Sequence, residues 1–297
     1  MSVRFVFLTD THYHPSAPKD FGAPKMLTRG REVLDAVAPA INALNPDFVV
    51  HGGDLLCGGG SFEIPRETYL QSIEHVAKAY NGFNAPIYYV PGNHDCDADT
   101  RSFDAFAKRF PIPETLSFSE AAPGLMLALA NVYSSAAPDH GGVWTNEHDE
   151  ILRQAGRIAM EDGCALILVL HEWVVPADGD EAGKGVVGNS EALMRTLSEL
   201  PAAVAVFTGH RHTNRIRLHG GLAVVDTACL IGFPLGFREI SLSSDGLLAA
   251  RFHQLDLPEL IRASYDRSSP EVNAGWQGEI GDRDTDLVLP GLRQVWS

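Results

Sequence analysis

Apolar positions along this chain fall into short unbroken runs, separated by longer stretches in which they recur every three or four residues. Phe5-Val6-Phe7-Leu8, Phe48-Val49-Val50, Ile87-Tyr88-Tyr89-Val90, Leu166 to Leu170 and Val204-Ala205-Val206-Phe207 are rich in β-formers. Runs of this length and composition predict buried strands. Between them, Leu27–Leu44 has helical spacing and stops at Asn45-Pro46, and Pro65–Tyr80 opens on proline and stops at Asn81-Gly82. Phe103–Phe110, Asn146–Glu161 and Ser190–Leu200 read as further helices, the last with Ser190 as its N-cap. Strand–helix alternation of this kind implies an α/β domain whose central strands are largely parallel.

The pattern changes beyond His212. Ile216–Leu218, Leu222–Val225, Phe237–Leu242 and Leu247–Phe252, separated by Gly-Gly and Asp-Gly turns, predict an antiparallel meander. From about Leu255 to Ser297 the chain is polar without clear periodicity, yet it holds Trp276, Leu287, Leu289, Leu292 and Trp296, which need burial. The expected organisation is therefore a domain over residues 1–254 and an ordered arm over 255–297, packed on that domain or on a second subunit as a homodimer.

Composition narrows the function. The chain has 297 residues, 45% of them hydrophobic, enough for a substantial core. No apolar stretch approaches the length of a membrane helix, and Val3–Leu8 is too short and too soon polar for a signal peptide, so a soluble, cytoplasmic protein is expected. The formal charge of −15 argues against polymeric nucleic acid, which selects a basic surface. It leaves room for a small anionic ester, because bound cations dominate a local field. Cys57, Cys96, Cys164 and Cys229 show no CxxC pairing and are expected as free thiols, with Cys57 and Cys96 near the chemistry but not part of it.

Each apolar run is followed by hard or borderline metal ligands: Asp10-Thr-His12, Gly53-Asp54, Gly92-Asn93-His94-Asp95, His171 and Gly209-His210-Arg211-His212. Ligands on the carboxyl ends of successive strands converge on one rim of a sheet. In extended backbone, residues i and i+2 point the same way, so Asp10 and His12 are expected to face one metal together, and His210 and His212 to serve two adjacent ions. Asp54 is the natural bridge, with one carboxylate oxygen for each cation. The expected sets are Asp10, His12, Asp54 and His212 for one ion and Asp54, Asn93, His171 and His210 for the other. Mixed N/O ligation without thiolates suits Mn, Fe, Zn or Co. Two such ions, roughly 3.5–4 Å apart, form a clamp for in-line displacement.

In their order these blocks resemble the calcineurin-like metallophosphoesterase superfamily: DxH, GDxxxxG (here Asp54-Leu-Leu-Cys-Gly-Gly59), GNHD, a lone histidine and GHxH. The resemblance covers about residues 3–253. The DTH opening, GNHD, and Pro234-Leu-Gly-Phe-Arg238 are similar to the branch of class III cyclic nucleotide phosphodiesterases and glycerophosphodiesterases. It implies a four-layer αββα double β-sandwich with the metal site at the strand carboxyl ends, and the metal assignments above agree with it. It further implies that His94 is not a ligand but a donor to the phosphoryl group or the leaving alkoxide, with Asp95 orienting it. Arg211, between two ligand histidines, is expected to point away, and His14, His140 and Glu172 are secondary neighbours. The chain departs from many relatives at His171-Glu-Trp-Val-Val-Pro176 and at Ala136-Ala-Pro-Asp-His-Gly-Gly142, two loops expected to shape the substrate pocket.

The expected activity is hydrolysis of a small phosphate ester, in which a hydroxide shared by the two ions attacks phosphorus. A phosphodiester (a cyclic nucleotide or a glycerophosphodiester) is the first reading, and a phosphomonoester is the alternative. A non-catalytic protein-interaction scaffold of the same superfamily is the rival from another class. It is disfavoured because His94 and all seven ligand positions persist.

Overall fold

Val3, Phe5 and Phe7 of β1 (Ser2–Leu8) face one layer of apolar side chains while Val6 and Leu8 face another, so this strand is enclosed from both sides. In the computed structural model, which describes residues 1–22, 24–59, 62, 64–133, 141–181 and 183–296, β1 pairs in parallel with β2 (Phe48–His51), and β2 in parallel with β3 (Ile87–Tyr89). On its other side β1 pairs antiparallel with β10 (Gly236–Ser243), followed by β11 (Leu247–Gln254) and β12 (Thr285–Val288). The sheet order is β12-β11-β10-β1-β2-β3.

A second six-stranded sheet runs β4 (Leu116–Ala122), β5 (Leu125–Ala130), β6 (Ala165–Val169), β7 (Ala203–Thr208), β9 (Leu222–Asp226), β8 (Arg215–His219). Its four inner strands are parallel and its two outer strands antiparallel to them. Parallel strands need both faces covered. The two sheets supply one cover each, through Phe5 stacked on Phe48 at 4.9 Å and set edge-on to Phe207 at 5.4 Å. Helices supply the other. α1 (Gly30–Leu44) and α2 (Arg66–Tyr80) bury Val33, Val37, Ile73 and Val76 against the first sheet. α4 (Asn146–Glu161) and α5 (Ser190–Glu199) bury Leu152, Ala155 and Leu193 against the second. The result is the expected four-layer αββα arrangement. Deleting a ring such as that of Phe5 from the inter-sheet layer costs about 3–5 kcal/mol.

Several local expectations need correction. The four strands after His212 are not one meander. They form two hairpins in different sheets, β8–β9 and β10–β11, joined by residues 227–235 that cross between the sheets. Ile216 and Val225 reach the inter-sheet layer from one side, and Ile240 and Leu242 from the other, which periodicity along the chain does not distinguish. The β4–β5 hairpin was not anticipated. Leu125–Ala130 contains no β-branched residue, so its strand is set by pairing and burial. The N-cap of α5 is Asn189, in the left-handed conformation with φ 62°, not Ser190. The first turn of the helix expected at Leu27 is a 3-10 turn (Leu27–Arg29), and the helix expected over Phe103–Phe110 is the single turn α3 (Asp104–Ala107).

Beyond β11 the chain forms α6 (Pro258–Asp266), α7 (Pro270–Gln277), α8 (Ile280–Arg283), β12 and α9 (Pro290–Val295). Leu289 and Leu292 are fully buried in the inter-sheet layer, and the Trp296 indole donates to Gly124 O at 2.7 Å. Arg238, fully buried in β10, donates to the carbonyls of Asp282 and Arg283, tying this stretch to the sheet. Among the described residues no helix is long and apolar enough to cross a membrane.

Candidate metal centre

Asp10, Asp54, Asn93, His171 and His210 follow the carboxyl ends of β1, β2, β3, β6 and β7, so both sheets deliver side chains to one edge of the sandwich. Asp10 and His12 come together with His212, and Asp54 comes together with His171 and His210. His212 Nε2 lies 3.1 Å from Asp10 Oδ1 and 3.2 Å from His12 Nε2. His171 Nε2 lies 3.2 Å from Asp54 Oδ2, and His210 Nδ1 lies 3.2 Å from Asn93 Oδ1. An ion with nitrogen and oxygen ligands at about 2.0–2.2 Å holds neighbouring donors about 2.8–3.6 Å apart. The donor spacing fits such ions.

The way these side chains converge differs from the expectation. The DxH and GHxH segments are not extended: Asp10, His12, Asp54, His210 and His212 all have left-handed backbone, with φ of 56°, 41°, 55°, 70° and 57°. For non-glycine residues each such conformation costs about 1–3 kcal/mol, held here by the buried surroundings. Gly209 leaves the room this needs, because a Cβ there would overlap Thr9 Oγ1 and Asp10 Oδ2. Asp10 Oδ2 accepts from Thr9 Oγ1 at 2.7 Å and from the His210 amide at 3.0 Å, which turns Oδ1 toward His12 and His212.

Asp54 also behaves differently. Its Oδ1 accepts the His94 amide at 2.7 Å, and Oδ2 alone faces both His12 Nε2, at 3.6 Å, and His171 Nε2, at 3.2 Å. One oxygen, not two, is thus placed between the two groups. His171 Nδ1 donates to Gly52 O at 2.7 Å and fixes the ring, leaving its buried Nε2 without a hydrogen-bond partner. An orphaned imidazole nitrogen facing a carboxylate is what a cation between them accounts for.

The electrostatics agree. Burial favours neutral acids, yet His212 and His171 hold Asp10 well below the usual carboxylate range, and His171, His94 and His12 do the same for Asp54. Burial pushes His12, His94, His210 and His212 down, His212 to about 4, so these imidazoles are neutral and their lone pairs available. His171 is the exception: burial opposes its charge, but Asp54 and Asp10 raise it to about 10.

A sequence profile of the calcineurin-like phosphoesterases matches residues 3–214. The chain belongs to that family. The family brings divalent metal ions and metal-dependent hydrolysis of phosphoesters, and the clusters above are where this phosphoesterase gathers candidate ligands. Among solved structures its fold is similar to a dimetal phosphatase from Danio rerio, with a TM-score of 0.68 at 12% identity over 84% of this chain and 95% of that one. It is also similar to a putative 5'-nucleotidase from Staphylococcus aureus crystallised with alpha-ketoglutarate, with a TM-score of 0.55 at 15% identity. That match covers 90% of this chain and 58% of the nucleotidase. No protein of curated function matches the chain by sequence.

The surroundings of the site correct one expectation and bear on others. Asp95 does not orient His94. Its carboxylate accepts the amides of Asp54 and Gly92 at 2.8 Å and of Leu56 at 3.0 Å, knitting two ligand loops together. Burial and the neighbouring Asp54 charge raise its pKa well above the usual range. The His94 ring is held instead by Gly58 O, 3.2 Å from Nδ1. Arg211 does point away, with its guanidinium over Trp173 at 4.8 Å. Glu172 accepts the Gly142 amide, and His14 the amide of Ser16. His140 and most of the loop from Ala136 lie outside the described residues. All four cysteines are free and buried; the Cys57 thiol donates to His12 O.

Three contributors carried no motif: Thr9, Lys25 and Trp276. Trp276 of α7 is set edge-on to His212 with ring centroids 4.8 Å apart, and its carbonyl accepts the Asn214 amide at 3.0 Å. Only Thr9 had a signal within reach, as the residue preceding Asp10.

Proposed function

We propose that this chain hydrolyses a small phosphodiester with two divalent cations, one held by Asp10, His12, Asp54 and His212 and the other by Asp54, Asn93, His171 and His210. The observation that carries this reading is Asp54 Oδ2, turned at once toward His12 Nε2 at 3.6 Å and His171 Nε2 at 3.2 Å. When bound, such ions neutralise phosphoryl charge and acidify a water.

The chain's own residues do the rest. His94 is only partly buried, and its ring lies 5.2 Å from that of His12, beside the ligands. With Nδ1–H donated to Gly58 O, Nε2 is the free nitrogen of the neutral ring, and it takes up a proton, making the ring an imidazolium, before passing that proton to the departing alcohol. Asp95 and Thr9 act by position, fixing the loops that present Asp54 and Asp10. A diester is favoured by the DTH and GNHD blocks, which are similar to those of the phosphodiesterase branch. The net charge of −15 supports a small ester over a nucleic-acid polymer.

The test is turnover of bis(p-nitrophenyl) phosphate against p-nitrophenyl phosphate by manganese-loaded protein. Preference for the diester is expected. A strong monoester preference moves the substrate class to the alternative, and turnover independent of Asn93 and His94 ends the catalytic assignment.

A further inference from the structure

Beside the His12 cluster stands a cation that belongs to none of the five blocks. Lys25, on the segment between β1 and α1, places its Nζ 3.4 Å from His12 Nε2. The same nitrogen sits over the Phe62 ring, 5.3 Å from its centroid. Phe62 is almost fully buried, and its ring packs edge-on against His94 at 4.8 Å and tilted against His12 at 5.7 Å. One aromatic side chain therefore braces both the Lys25 ammonium and the His94 imidazole. The base of Lys25 is fixed from behind: a Cβ on Gly232 would stand 3.3 Å from Lys25 Cα and 3.0 Å from the Trp276 ring. Among the described residues, no carboxylate pairs with this ammonium within ion-pair distance.

Resting on the metal reading above, we propose that Lys25 binds a non-bridging phosphoryl oxygen of the substrate, working beside His94, with Phe62 as the positioning residue for both. The argument is one of charge. An ammonium 3.4 Å from an imidazole nitrogen is satisfied while that lone pair is free. Once the lone pair serves a cation, the ammonium loses its acceptor and faces another positive charge. Asp10 and Asp54, 3.4 and 3.6 Å from His12 Nε2, make no ion pair with the ammonium, so the placement favours a further anion beside it, and the anion the reaction brings is the phosphoryl group. A lysine supplies this as a mobile point charge, able to swing from His12 to the incoming oxygen on its four-carbon stem.

The experiment uses the full chain loaded with manganese, and reads inorganic phosphate binding by calorimetry alongside manganese content and steady-state kinetics. Lys25→Gln is expected to retain its manganese and to bind phosphate about 10–100-fold more weakly, as for loss of one charge-assisted hydrogen bond. Its kcat/KM should fall by a similar factor, and Lys25→Arg should recover part of both. Phe62→Leu should weaken phosphate binding and lower kcat together, since it loosens two groups at once. Unchanged phosphate affinity in a manganese-replete Lys25→Gln protein overturns the proposal, as does loss of manganese from that variant. A wild-type protein that takes up manganese but no phosphate overturns it too. Phosphate binding that depends on Lys25, in a protein that turns over neither ester, upholds the anion contact and sinks the catalytic reading alone.

Discussion

The amide of His94 donates to Asp54 Oδ1 at 2.7 Å, so the residue proposed to serve the leaving group also sets which oxygen of Asp54 is turned to His12 and His171. The bond is made by backbone, whereas the proposed proton transfer is made by the ring. These two contributions separate cleanly by substitution.

His94→Ala keeps the amide and removes the imidazole. Metal analysis should show the wild-type manganese content, while kcat falls about 10²–10⁴-fold. Loss of both ions in this variant would falsify the division of labour between ring and amide.

Asn93→Ala removes the amide oxygen 3.2 Å from His210 Nδ1. The Asp10, His12 and His212 group is untouched by this change. Titration with manganese should therefore reveal one site close to wild-type affinity and one much weakened, with turnover down by orders of magnitude. Equal weakening of both sites would mean that the two groups do not act as separate ligand sets.

Gly209→Ala tests the crowding behind Asp10. The added methyl overlaps Thr9 Oγ1 and Asp10 Oδ2, the pair that aims Asp10 at His12 and His212. Manganese affinity should drop at least about tenfold, the scale of lost outer-shell support for a ligand. Circular dichroism should still report a folded protein. Affinity within a factor of two of wild type would show that Asp10 tolerates a shift.

A pH dependence of stability follows from His148, which belongs to none of the ligand clusters. It is fully buried at the start of α4, where Nδ1 accepts the Thr145 amide at 3.2 Å and Nε2 donates to Asn131 O at 3.0 Å. Burial lowers its pKa, outweighing the Asn131 carbonyl, which raises it. The unfolded chain therefore binds this proton more readily than the folded one, near pH 6.5. Its contribution to stability is full above that pH and is lost as pH falls toward the lower folded value. Urea unfolding between pH 5 and 7.5 should show a shallower acid loss in His148→Gln than in wild type. Parallel curves would remove His148 from the account.

Much of the candidate site is legible in the sequence. Asp10, His12, Asp54, Asn93, His171, His210 and His212 each follow a short apolar run, and a run that must be buried on both faces places what comes next at the edge of the sandwich. The helices were legible for the same reason, since α4 coincides with its apolar period and the stop after it. The segments that escaped were those whose partners lie elsewhere in the chain. Leu125–Ala130 lacks β-branched residues, and the hairpins after His212 alternate identically whichever sheet they join.

By itself the sequence determined which candidate ligands reach the rim of the sandwich, because residue identity and the strand before it are local properties. Tertiary structure decided how they act. Whether one or both oxygens of Asp54 face the cluster, whether Asp95 serves His94 or the loop amides, and whether Lys25 and Trp276 stand at the site depend on contacts between distant segments. Such contacts are set by the packing of two sheets against each other, and no spacing along a single strand encodes them.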